Sequence, residues 1–196
     1  MKKILMYIYD DMADFEVTLL AHLLGRNSGY RIISISETID PVSSASGLTY
    51  LPKTSINKVI HEDVEGIIIP GGWKKGYSED LMRLLQDLNE QNKFIAAICA
   101  GPWMVAKSGA LKGKKFTTSI SAWTEEQMKN FCEKDPFEWT NYQDSRVVRG
   151  ENIITAKGIA FIDFATEVCD YLGEFKNAKE KLDFMNQFVP GNCNEI

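Results

Sequence analysis

The 196-residue sequence predicts one α/β domain, a mostly parallel central sheet flanked by helices in three layers. Three observations lead there. Strand-like and helix-like segments alternate from end to end. The strand-like segments are short continuous apolar runs, the pattern of strands buried on both faces. No repeat, low-complexity tract or long linker divides the chain.

Residues 4–9 read as the first strand. Asp14 is placed to cap a helix carrying Phe15, Leu19, Leu20, Leu23 and Leu24 on one face and stopping near Gly29. Residues 31–36 form the second strand, and 42–51, with Ser43-Ser44-Ala45-Ser46-Gly47 at its centre, a hairpin. Residues 66–70 are a third core strand, closed by the turn Gly71-Gly72. Ser78 opens a helix with Leu81, Leu84, Leu85 and Leu88 at helical spacing, and residues 94–98 are a fourth core strand ending at Cys99. A short helix then runs to about Ser108, followed by a strand over 116–118, a helix over 124–131 and a hairpin over 147–155. Helices over 159–172 and 175–188 complete the chain, the first with Phe161, Phe164, Ala165 and Val168 along one side.

A chain with 44% hydrophobic residues at this length buries a core without disulfide or metal staples. Its net charge of −5, evenly spread, argues against a nucleic-acid partner. No apolar run approaches the roughly 20 residues of a membrane helix, so no membrane partner is expected. The first apolar run meets Asp10-Asp11 with no small-residue cleavage site and reads as a strand, not a leader. The four cysteines, Cys99, Cys132, Cys169 and Cys193, form no C-x-x-C pair, which points to free thiols and a cytoplasmic location. Scattered cysteines and two isolated histidines lack zinc-ligand spacing, so no metal is expected. Gly71-Gly72 lacks the further glycines of a nucleotide loop, so no cofactor is expected either.

Sheets of this kind place their chemistry at the carboxyl ends of the strands, and three of those ends carry unusual residues. In Ala97-Ile98-Cys99-Ala100-Gly101-Pro102 a cysteine sits between a buried strand and a helix, where small neighbours permit the tight turn of a nucleophile elbow. Pro102 suits the helix first turn, and a thiol at a helix N-terminus is expected to gain thiolate character. Cys132, Cys169 and Cys193 have no such context and read as structural. After the third strand, paired glycines let backbone N–H groups approach a developing oxyanion, with those of Gly72 and Ala100 the natural pair. In the first helical turn, Glu16 is placed to reach the cysteine as a proton donor or acceptor. The ordinary alternatives are a buried thiol, a glycine turn and compensation of the helix dipole; the three together outweigh them.

In this order and spacing, Glu16, Gly71-Gly72 and Ala97-Ile98-Cys99-Ala100-Gly101 resemble the DJ-1/PfpI family of the class I glutamine amidotransferase-like fold. The resemblance runs over about residues 3–172 and takes in Ala110-Leu111-Lys112-Gly113-Lys114, Phe116-Thr117-Thr118 and Ile154-Thr155-Ala156-Lys157-Gly158. It implies a flavodoxin-like three-layer sandwich over 1–173, with 174–196 a helical extension packed on the same domain. It also implies that Cys99 is the reactive cysteine, Glu16 its partner, Gly72 and Ala100 the backbone site, and that the protein is a homodimer.

The two histidines sharpen this. Protease-like and glyoxalase-like family members place a histidine where this chain has Ser119, and no histidine follows Cys99. His61 belongs at the amino edge of the sheet, roughly 17–20 Å from the reactive edge. His22 lies about 9 Å beyond Glu16 along its helix. A Cys–His peptidase or glutamine amidotransferase is therefore not expected. One reading is a cysteine-dependent hydrolase, hydratase or lyase acting on a small carbonyl-like substrate, its pocket bordered by Gly71, Trp73, Ser119 and Trp123, with Trp103 a further candidate wall. The others are an oxidation-sensing thiol held by the same groups, and a non-catalytic interaction module.

Overall fold

The computed structural model describes residues 2–27, 29–60, 64–74, 77–131 and 133–188. His61, Cys132 and Cys193, read above as remote or structural, lie outside the described residues, as does the end of the C-terminal extension.

The apolar runs form the strands β1 (Lys2–Tyr7), β2 (Tyr30–Ser36), β6 (Val64–Ile69), β7 (Phe94–Ile98) and β9 (Ile153–Ala156). With β5 (Thr54–Ser55) and β8 (Val147–Arg149) they make a seven-stranded sheet in the order β5-β2-β1-β6-β7-β9-β8. All neighbours are parallel except β8, which returns antiparallel on β9 as a hairpin. Every residue of β7 is buried, as a central strand covered on both faces requires. The helices α1 (Phe15–Asn27), α2 (Glu79–Glu90), α3 (Pro102–Lys107), α4 (Glu125–Phe131), α5 (Phe161–Tyr171) and α6 (Ala178–Asn186) complete the fold. A separate antiparallel hairpin, β3 (Val42–Ser43) with β4 (Thr49–Tyr50), stands where the small polar run predicts one.

Local chemistry sets several element ends. The Ser78 hydroxyl accepts the Leu81 amide at the start of α2, whose Leu81, Leu84, Leu85 and Leu88 are buried. Thr124 and Gln127 cap α4 reciprocally, the Gln127 amide donating to Thr124 Oγ1 and the Thr124 amide to Gln127 Oε1. On α6, Lys181 Nζ bonds Glu167 Oε1 at 2.6 Å and Asp170 Oδ2 at 3.2 Å, tying this helix to α5.

Four expectations are corrected. The first strand ends at Tyr7, two residues early: the Ile8 amide makes a last bond to Ile35 O at 2.8 Å, and Tyr9 O accepts the Met12 amide in the turn toward α1. Residues 116–118 form no strand: Phe116 makes one isolated bridge to Tyr142, and the threonines direct their hydrogen bonds elsewhere. The α1 face is rotated, with Val17, Leu20 and Leu24 buried and Phe15 51% exposed. The long helix over 159–172 begins as a 3-10 turn at Gly158–Ala160 before α5.

Because β1, β6, β7 and β9 run parallel, their carboxyl ends reach one edge of the sheet. The segments leaving that edge carry Tyr9 and Glu16, Gly71-Gly72, Cys99, and Gly158 respectively.

Candidate active site

Cys99 follows β7 directly and adopts φ +61°, a left-handed conformation uncommon for a residue with a side chain. The elbow is made possible by its glycines. A Cβ on Gly101 would meet three carbonyl oxygens, the nearest, of Ile69, at 2.8 Å. One on Gly71 would lie 2.5 Å from Cys99 Cβ and 2.9 Å from its sulfur. Pro102 occupies the first turn of α3, as expected.

Glu16 is 2% exposed, and its Oε2 accepts the Gly71 amide at 2.7 Å. Its Oε1 and the Cys99 sulfur converge on Gly158, where an added Cβ would lie 2.8 Å from the one and 3.0 Å from the other. Burial raises the Glu16 pKa, although the bonds to Cys99 and Gly71 act the other way. The Cys99 thiol is pushed up to about 11, first by burial and then by the Glu16 charge, against hydrogen bonds from Ser119 and the Ala100 amide. The expected thiolate character is thus overturned: α3 spans six residues, and its end cannot offset burial beside a carboxylate. The two groups share a site with room for one negative charge, so one proton belongs to the pair. Tyr9, buried after β1, sends its hydroxyl to Pro70 O at 3.2 Å, and the charges of Glu16 and Cys99 help raise its pKa.

The remaining site candidates divide. The Ala100 amide nitrogen and the Cys99 sulfur would each lie 2.9 Å from a Cβ on Gly71, so this amide borders the sulfur. Gly72 pairs with Met12 in an isolated antiparallel bridge, bounded by bonds from Ala13 N to Gly71 O and from Trp73 N to Asp11 O. That pairing turns the Gly72 amide away from Met12, and it donates no hydrogen bond among the described residues. The Ser119 hydroxyl accepts the Gly158 amide at 2.9 Å, which sets it against the glycine that borders Glu16 and the Cys99 sulfur. Trp73 stands 70% exposed on the loop after Gly72. Trp123 packs edge-to-face on Phe137, its ring centroid 6.1 Å away, within an aromatic cluster. Trp103 is buried against Tyr77 and is core. His22 is exposed on α1, and Cys169 is buried in α5 with its thiol raised to about 12 by burial.

Gly158 is the residue that sequence reasoning passed over. A Cβ there would lie 2.8 Å from Glu16 Oε1 and 3.0 Å from the Cys99 sulfur, so this glycine forms a wall of the site. Its signal was its position directly beyond a core strand, the same placement that singled out Gly71-Gly72.

The sequence matches the model of the DJ-1/PfpI family over residues 2–171. It is 27% identical to an uncharacterized protease, YoaZ, of Bacillus subtilis over 89% of this chain and 85% of that protein. It is 23% identical to a deglycase, TK1284, of Thermococcus kodakarensis over 61% of this chain and 73% of the relative. The crystal structure of a DJ-1 superfamily protein, Atu0886, from Agrobacterium tumefaciens superposes with a TM-score of 0.80 at 27% identity, covering 95% of this chain and 97% of that one.

Proposed function

Since the chain belongs to the DJ-1/PfpI family, we propose that it is a cysteine-dependent enzyme of hydrolase, hydratase or lyase type, acting on a small carbonyl-like substrate at Cys99. One observation carries this reading: a cysteine in a left-handed elbow whose sulfur meets a buried carboxyl at the Gly158 wall, the carboxyl itself fixed by the Gly71 amide. The names of the two relatives, a protease and a deglycase, support an enzymatic reading.

In this reading the Cys99 sulfur attacks the electrophilic carbon and its proton passes to Glu16, whose burial raises its proton affinity. The substrate oxygen gains the electron pair and is stabilised by the amides of Ala100 and Gly72. Glu16 then returns the proton as the adduct collapses. His22 takes no part, being exposed six residues along α1 from Glu16, and no histidine follows Cys99 in the sequence. The protein works as a homodimer, in the reducing cytoplasm that its cysteine usage suits. The test compares wild type and Cys99→Ser on a panel of carbonyl and amide substrates, and separately after mild peroxide with intact mass. Turnover lost in the variant supports the enzyme. Oxygen added at Cys99 with no turnover favours the oxidation-sensing alternative, and a Cys99 no more reactive than Cys169 ends both.

A further inference from the structure

The peptide that follows the elbow cysteine is gripped by its oxygen. Cys99 O accepts the Thr118 hydroxyl at 2.7 Å and the Ser119 amide at 2.9 Å, so both of its lone pairs are taken. A carbonyl oxygen only accepts, so the Thr118 proton goes to Cys99 while its oxygen accepts the Ile120 amide at 3.3 Å. The segment supplying these donors is buried and itself anchored. The Thr117 amide donates to Thr155 Oγ1 at 2.9 Å, and Thr117 Oγ1 donates to Ser145 O at 2.9 Å. On the strand side, the Cys99 amide donates to Ala156 O at 2.8 Å.

A trans peptide is planar, with its C=O and N–H pointing to opposite sides. Holding Cys99 O against Thr118 and Ser119 therefore turns the Ala100 N–H the other way. That way lies the site: a Cβ on Gly71 would stand 2.9 Å from both the Ala100 nitrogen and the Cys99 sulfur. The Ala100 amide donates to no carbonyl among the described residues. We propose that Thr118 is the positioning residue of the oxyanion site, its hydroxyl fixing the Cys99–Ala100 peptide so that the Ala100 amide faces the substrate oxygen. This rests on the reading of Cys99 as the nucleophile and Ala100 as an oxyanion donor. Cys99 sits in the narrow left-handed well at φ +61°, and rotation of the next peptide would carry that N–H away from the sulfur. Thr118 acts through the amide and moves no proton.

The test compares two reagents on the full chain, with each cysteine read by peptide mapping of acid-quenched samples. With p-nitrophenyl acetate the thiolate attacks a carbonyl, whose oxygen takes the electron pair before p-nitrophenolate leaves and the sulfur keeps the acetyl group. With iodoacetamide the thiolate displaces iodide at a saturated carbon, and no oxyanion forms. Both draw on the same thiolate, so the ratio of the two rates is independent of the ionisation of Cys99. Thr118→Val, which keeps the shape and removes the hydroxyl, is expected to slow acetylation about tenfold with alkylation within about twofold of wild type. Thr118→Ser, which keeps the hydroxyl, restores acetylation. Where Thr118→Val does not fold, Thr118→Ala against Thr118→Ser decides by the same ratio. A folded variant without the hydroxyl in which both rates fall together, or neither changes, overturns the proposal. A wild-type Cys99 no faster than Cys169 toward either reagent instead overturns the nucleophile reading beneath it.

Discussion

At the scale of single residues, Glu16 and Cys99 govern one another through a shared proton. The Glu16 charge and its hydrogen bond both hold the thiol up, so Glu16→Gln is expected to bring the Cys99 midpoint below about 11. Each pH unit of that fall gives about tenfold more thiolate and correspondingly faster alkylation. Turnover under the proposed mechanism is lost in the same variant, because the proton has nowhere to go. Stability follows with a definite sign. Glu16 has a raised folded-state pKa, so its favourable contribution is full below the ordinary carboxylate range and lost as pH rises through the raised value. Glu16→Gln is neutral throughout and should become more stable than wild type as pH rises, on the order of 1 kcal/mol at neutral pH, seen as a crossing of thermal midpoints. Equal midpoints at every pH would contradict a buried, charge-bearing Glu16. Cys99 was legible in the sequence because it directly follows a strand, Glu16 because it stands in the first turn of α1, and Ser119 because it takes the place where family members carry a histidine. Gly158 was not, because its importance lies in what an added Cβ would strike.

Among the elements, the β3–β4 hairpin shows how tertiary contacts redirect a side chain with a clear local role. Asp14 precedes α1 and reads as its cap, yet its Oδ2 accepts the hydroxyls of Ser44 at 3.1 Å, Ser46 at 2.7 Å and Tyr50 at 2.8 Å. Burial pushes the Asp14 pKa up, but the bonds from Ser46, Tyr50 and Ser44 outweigh it and hold the carboxyl below its usual range. That stability is present above the ordinary carboxylate range and lost as pH falls through the lowered value. Asp14→Asn should therefore cost about 1–3 kcal/mol at neutral pH, a difference that narrows in acid. Denaturant titrations at the two pH values read the cost, and amide exchange over 44–50 reports the loosened hairpin. A cost unchanged by acid would mean that the carboxylate charge contributes nothing. The sequence showed the hairpin, since its serine-rich turn is a local signal, but not the target of its hydroxyls, some 30 residues distant in the chain. The same limit explains residues 116–118. Their β-branched pattern suits a strand, whereas their hydrogen-bonding groups serve Cys99, Thr155 and Ser145.

For the molecule as a whole, alternation of apolar runs and helices was enough to place the carboxyl strand ends on one edge, and with them the site. What alternation does not show is which outer surface stays open. The structure leaves Phe15 51% exposed and Ile159 76% exposed, the neighbours in sequence of Glu16 and Gly158. Phe15 meets the Phe161 ring edge-on at 5.5 Å, so the apolar patch bridges the starts of α1 and α5. Exposed apolar surface beside a functional site is a disposition for association, and the homodimer we propose would cover it with a second copy. A stable interface buries about 1,200–2,000 Å² in total, so the patch would be a part of it and a charge there should be costly. Phe15→Asp with Ile159→Asp is expected to turn a dimeric wild type into a monomer at micromolar concentration, measured by sedimentation equilibrium. The wild-type thermal midpoint should rise with protein concentration, as association linked to folding requires, while that of the variant stays level. Cys99 should be alkylated faster in the monomer, because both substituted residues border segments that enclose its sulfur. A wild type that sediments as a monomer with a concentration-independent midpoint would remove the dimer and leave the Cys99–Glu16 chemistry standing, since the elbow, the Glu16–Gly71 bond and the Gly158 wall are all built within one chain.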